Sequence, residues 1–175
     1  MGNTDAAILA LAAASAMGFL LADGEKRRLQ WICAMRRCLL RLSDMIRYER
    51  RGVSALLRSV DLQGSQQEMA LTRLLHGCAD EMEGRDSPRL ALIYARRSAK
   101  LAEYGVLSRE DREAFEQVLS GLGESGLKEQ LDLIEAADER IRQIEETRRK
   151  DVGQRVRLIR TLGVCCGAGL FLVLI

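Results

Sequence analysis

Residues 127–144 read LKEQLDLIEAADERIRQI. Leu127, Leu131, Ile134, Ala137, Ile141 and Ile144 recur at intervals of three and four residues, which places them on one face of an α-helix. The same spacing makes the seam of a coiled coil. Neither proline nor glycine interrupts the run, which leads into the basic cluster that begins at Arg148. The pattern predicts one long helix that continues, with Gly153 as a place to bend, into the uncharged stretch 161–175, TLGVCCGAGLFLVLI.

A second uncharged stretch, AAILALAAASAMGFLLA, occupies residues 6–22, and all 27 Lys and Arg fall between Lys26 and Arg160. This is the layout of a domain tied to a membrane at both ends: a first transmembrane span over residues 1–23, a cytoplasmic helical domain over 24–157 and a C-terminal span over 158–175. The uncharged runs of 17 and 15 residues would reach roughly 25 and 22 Å, against a hydrocarbon core of about 30 Å. Local thinning of the bilayer and snorkelling of Arg157 and Arg160 would close the difference. A cleaved signal peptide needs a basic start, and Asn3, Thr4 and Asp5 supply none, so the first segment reads as a retained anchor.

The charges are ordered along the chain. Residues 23–60 hold 10 basic and 4 acidic side chains, residues 61–147 hold 11 and 19, and residues 148–160 hold 6 and 1. Basic residues beside a span stay on the cytoplasmic side and attract anionic head groups. Arg27, Arg28, Arg157 and Arg160 are therefore the expected lipid head-group contacts, with both chain ends on the far side. Ala10, Ala14 and Gly18 in the first span, and Gly163 and Gly167 in the last, are small residues four apart, the spacing that lets helices approach closely in lipid. Either they pack the spans on each other or on partner spans, or they simply face lipid. The acidic centre is the expected place for a basic soluble partner, or an ordinary solvated surface. Nucleic acid is not expected, because aromatic residues make up only 4% of the chain and no reading motif is present.

Between the ends every segment reads helical. The single proline, Pro88, sits behind Ser87, a natural N-cap with proline at the first helical position. Leu29, Ile32, Cys33, Leu39, Leu40, Ser43 and Ile46 form the expected inner face of a helix from Glu25 to Tyr48, which joins the first span unless Asp23-Gly24 bends it. A short helix from Ser54, a helix over 66–83 with Met69, Leu74, Leu75, Cys78 and Met82 inward, one from Pro88 to Tyr104, and one from Ser108 with Phe115, Val118, Leu119 and Leu122 inward complete the set. The predicted fold class is all-α: an antiparallel helical bundle or hairpin with a transmembrane helix at each end.

Catalytic chemistry is not expected. His76 is the only histidine, and it lies two residues from Cys78 on a helix, so the two point to different faces. Five cysteines, an odd number with no C-x-x-C pair, read as reduced thiols and give no metal-ligand spacing. Leu122-Gly123-Glu124-Ser125-Gly126 lacks the Lys-Ser/Thr of a phosphate loop. The acidic pairs Glu110/Asp111 and Glu145/Glu146 read as solvated. No cofactor and no metal is expected.

Several stretches together resemble a known family. Gly18-Phe19-Leu20-Leu21-Ala22 is followed by Arg27, Arg28, a leucine-rich helix and Met45-Ile46-Arg47-Tyr48. Ser54-Ala55-Leu56-Leu57 opens a short helix. Leu119 to Gly123 with Gln130 forms a leucine-glycine turn with a downstream glutamine, and Leu162-Gly163 with Gly167 to Ile175 forms a closing span. In order, spacing and total length the chain resembles the stage III sporulation protein AB family. It departs at Arg51-Gly52-Val53, where a proline is expected before the short helix. The resemblance implies a helical domain similar to the F-type inner-membrane platform proteins of type II secretion and type IV pilus systems. It also implies a place in the assembly that links mother cell and forespore, in the mother-cell membrane, with a secretion-type ATPase and channel membrane proteins as partners. Self-association into a homo-oligomer is compatible with that role. A generic membrane-tethered scaffold outside sporulation, and a soluble helical enzyme whose terminal segments are core helices, are the competing readings.

Overall fold

In the computed structural model, residues 2–49, 51–84, 89–124 and 126–174 are described, without most side chains of the two terminal apolar segments and without those of Ala102 and Glu103. The elements are α1 (Gly2–Tyr48), α2 (Val53–Ser59), α3 (Gln66–Met82), α4 (Leu90–Ala99), a 3-10 turn (Ala102–Val106), α5 (Arg109–Gly121) and α6 (Leu127–Leu174). Among the described residues there is no strand, and the fold class is all-α as the sequence predicts. Both long helices run without a break, α1 through Gly24 and α6 through Gly153.

The chain divides into two compact units. Residues 1–29 and 147–175 form one; Gln30–Glu146, the body, form the other. The division falls inside both long helices, between Leu29 and Gln30 in α1 and between Glu146 and Thr147 in α6. Among the described residues no helix is long and apolar enough to cross a membrane. Most side chains of the two uncharged stretches lie outside the description.

In the body, Trp31, Met35, Cys38, Leu42 and Met45 are buried at alternating four- and three-residue steps along α1, with Ile32, Leu39 and Ile46 beside them. Ile134, Ala137 and Ile141 of α6 are buried in the same core, and Leu131 and Ile144 pack against it. The expected inner face of α1 holds for Ile32, Leu39 and Ile46 and fails at Leu40, which is 46% exposed. Met69 and Leu127, expected inward, are about half exposed at 48% and 50%. Four of the seven aromatic residues gather at one place. Trp31 meets Tyr104 edge-on with ring centroids 5.3 Å apart, and Tyr94 lies 6.3 Å from Tyr104 and 6.0 Å from Phe115. This cluster joins α1, α4, the 3-10 turn and α5, and edge-to-face pairs of this kind add about 1 kcal/mol beyond burial.

Helix starts follow capping chemistry. Ser65 and Ser108 each accept a hydrogen bond from the backbone N–H three residues on, and Glu68 and Asp111 each accept one from the cap residue's own N–H. These are complete capping boxes. Before Ser65, Gly64 holds φ at +150°, and a Cβ there would overlap the Glu68 carboxylate, so glycine is required. Helix α2 begins at Val53 behind Gly52, one residue before the expected Ser54, and no side chain caps it. Helix α4 is described from Leu90, with Arg89 at its cap position and no side-chain cap. Ser87 and Pro88 themselves lie outside the described residues. That helix ends at Ala99, because the chain tightens into the 3-10 turn that carries Tyr104 inward.

Candidate functional site

The chemistry-bearing side chains fall into three groups: ion pairs that join the helices, a basic groove, and the charged residues of the unit that holds both chain ends. Two acids expected to be solvated are buried: Asp111 in the capping box of its own helix, and Glu145 in the first group. Asp111 is 2% exposed because its carboxylate folds back over the start of α5, and Glu145 is 9% exposed because it follows Ile141 by one turn and faces α1. Arg36 on α1 donates to Asp138 at 3.0 Å and to Glu145 at 3.1 Å. Glu68, 2% exposed, pairs with Arg37 as well as closing its capping box. Arg58 on α2 reaches Asp80 of α3 at 2.7 Å and Glu83, just past its end, at 3.1 Å. Much of the acid of residues 61–147 is thus spent on contacts between helices.

His76 is half-buried, with Nε2 2.8 Å from the Val60 carbonyl. A carbonyl only accepts, so Nε2 carries the proton and the ring ties the end of α2 to α3. Leu62 N–H donates to the buried Thr72 hydroxyl at 3.1 Å nearby. The histidine acts as a structural tie. Cys33, Cys38, Cys78 and Cys165 are thiols, none in a disulfide. Among the described residues no three His, Cys, Asp or Glu side chains gather to hold a metal ion.

The groove lies between α3 and α4 and encloses about 590 Å³. Arg73, Arg96, Arg97 and Lys100 line it, with Glu81 as its acid. Glu81 accepts from Arg97 at 2.6 Å and also from Arg96. Burial opposes ionisation of Glu81, but the hydrogen bonds from Arg97 and Arg96 prevail and hold its carboxyl below the usual range. Gly77 makes room for this arrangement, because a Cβ there would overlap the Arg97 guanidinium. Sequence reading missed the groove. Arg73 lies on one helix and the other cations on the next, and a net acidic count over the region hides them.

The predicted site residues lie in the unit formed by residues 1–29 and 147–175. Ala10, Ala14 and Gly18 fall within α1, and Gly163 and Gly167 within α6, so both small-residue stripes belong to one unit; their side-chain surroundings lie outside the described residues. Arg27 and Arg157 are exposed and Arg28 is half-buried; the Arg160 side chain is outside the description. Leu20 and Leu158 are also exposed, at 63% and 60%.

No curated protein and no solved structure matches the chain at a significant level. The family model for stage III sporulation protein AB does match, over residues 5–175. That span takes in the leucine-glycine turn at Leu119–Gly123, the Met45–Tyr48 helix end and both terminal segments. It places the chain in stage III of sporulation and not in a scaffold outside it, in a family of sporulation proteins rather than of enzymes. The chain belongs to the stage III sporulation protein AB family.

Proposed function

We propose that this chain is a non-enzymatic membrane platform subunit of the channel complex between mother cell and forespore. Residues 1–23 and 158–175 span the mother-cell membrane at the forespore interface, and the body faces the cytoplasm. The observation that carries the reading is the composition of the end unit. The chain's two uncharged stretches fall in one compact unit, which also carries exposed Leu20 and Leu158 beside exposed Arg27 and Arg157. Large exposed apolar side chains next to arginines suit the boundary between lipid tails and head groups. Snorkelling arginines and packed small residues then hold the hairpin in the bilayer.

The body's role follows from what it offers: charged grooves and faces on a helical scaffold. Its partners on this reading are a secretion-type ATPase on the cytoplasmic side and channel membrane proteins beside the spans. Single cysteines at positions 2, 125 and 175 in a cysteine-free background test the topology. Labelling of 2 and 175 from outside, with 125 reached only after lysis, supports it; labelling of 125 from outside overturns it. Deletion of the gene should block sporulation with vegetative growth unaffected. Recovery of the tagged protein without any ATPase from sporulating cells would count against the platform role.

A further inference from the structure

The body carries two patches of opposite charge. The first is the α3/α4 groove. Glu81 occupies Arg96 and Arg97 there, whereas among the described residues Arg73 donates only to the Met69 carbonyl, at 3.3 Å, and Lys100 has no acidic partner. The second is the outer face of α6, where Asp132, Glu135, Asp138 and Glu139 border a shallow depression of about 510 Å³. Asp138 is held by Arg36, and Glu139 by Arg142 and Gln143. Asp132 and Glu135 are exposed, make no ion pair among the described residues, and stand three residues apart, side by side on the helix surface.

We propose that the Asp132/Glu135 face of α6 in one copy docks into the α3/α4 groove of a second copy, with Arg73 and Lys100 receiving the two carboxylates. The groove already shows that it accepts a carboxylate, since Glu81 from its own chain lies across Arg96 and Arg97. Both patches belong to the same body, so each copy can donate one face and receive another. Exposed ion pairs are individually weak and salt-screened, so the contact is weak and salt-sensitive. A shared membrane would raise the effective concentration of copies and favour it further. The inference goes beyond the platform reading and stands without the proposed ATPase.

The test uses the purified full chain in detergent, followed by sedimentation velocity over a concentration series. Association should weaken about tenfold or more between 50 and 500 mM salt. Arg73→Glu with Lys100→Glu should abolish self-association, and so should Asp132→Lys with Glu135→Lys. Mixing the two double variants should restore association as a one-to-one pair, which no loss of folding could mimic. A mass that stays monomeric up to about 100 μM at low salt overturns the proposal. So does self-association unchanged in either variant, or two folded variants that fail to pair when mixed. If the groove variant still self-associates but no longer recovers a secretion-type ATPase, the groove serves another protein and self-docking is overturned.

Discussion

Arg36 on α1 and Asp138 on α6 meet at 3.0 Å across 102 positions of chain, and the same guanidinium reaches Glu145 at 3.1 Å. The two carboxylates lie seven residues apart, two turns of one helix face. One side chain on α1 thereby spans two turns of α6, and a one-turn slip between the helices would take it out of reach of one of the two. The clamp ties α1 to α6 at named polar positions, beside a shared apolar core that takes Trp31, Met35 and Cys38 from α1 and Ile134, Ala137 and Ile141 from α6.

Arg36→Met should cost about 2 kcal/mol, because it leaves two partly buried carboxylates close together without their cation. Their side chains are 20% and 11% exposed, so solvent compensates little. Thermal unfolding followed by circular dichroism should show a fall of roughly 5–10 °C in Tm. A change below about 1 °C would remove the clamp from the account.

The hydroxyls of Tyr94 and Tyr104 hydrogen-bond to each other in the core, at 2% and 1% exposure. Either Tyr→Phe change alone leaves one buried hydroxyl without its partner and should cost about 1–2 kcal/mol. The double variant should be no worse than the poorer single one, giving a coupling that chemical denaturation resolves. Additive losses would show that the pair is not coupled.

Burial suppresses the ionisation of both phenols and raises their pKa above the ordinary tyrosine value. Above about pH 10 the unfolded chain releases these protons and the folded chain keeps them. Stability is therefore intact below about pH 10 and falls as pH rises past it. Phenolate absorbance from Tyr94 and Tyr104 should appear together with the loss of helix. Their ionisation in a still-folded protein would contradict the buried placement.

Ser65→Ala and Ser108→Ala should each cost about 1 kcal/mol through loss of a cap. Glu68→Ala should cost more than Ser65→Ala, because Glu68 is buried and also pairs with Arg37. Gly64→Ala should be destabilising as well, from its positive φ and the overlap with Glu68. Equal losses for Glu68→Ala and Ser65→Ala would mean that the pair with Arg37 contributes nothing.

Desolvation pushes the Cys78 thiol up to about 11 and the fully buried Cys38 thiol higher still. At pH 8 a thiol-specific reagent should leave both unmodified in the native protein and react with both after denaturation. Rapid native labelling of Cys38 would show that the α1 core face opens.

Sequence by itself determined the helical class and most of the element boundaries. The three- and four-residue period over 127–144 selects Ile134, Ala137 and Ile141, and these are buried because that stretch offers only one apolar face. Ser108 followed by acids marks a helix start from purely local hydrogen bonding. Along α1 apolar residues lie on more than one face. Only the shared tertiary core chose Trp31, Met35, Cys38 and Leu42 over Leu40. Buried acids were equally illegible. A carboxylate enters a core only with hydrogen-bond or charge partners, and Arg36 and Arg37 reach Glu145 and Glu68 from another helix. The basic groove exists because α3 and α4 lie side by side, bringing together charges that in sequence are diluted by acids already paired elsewhere.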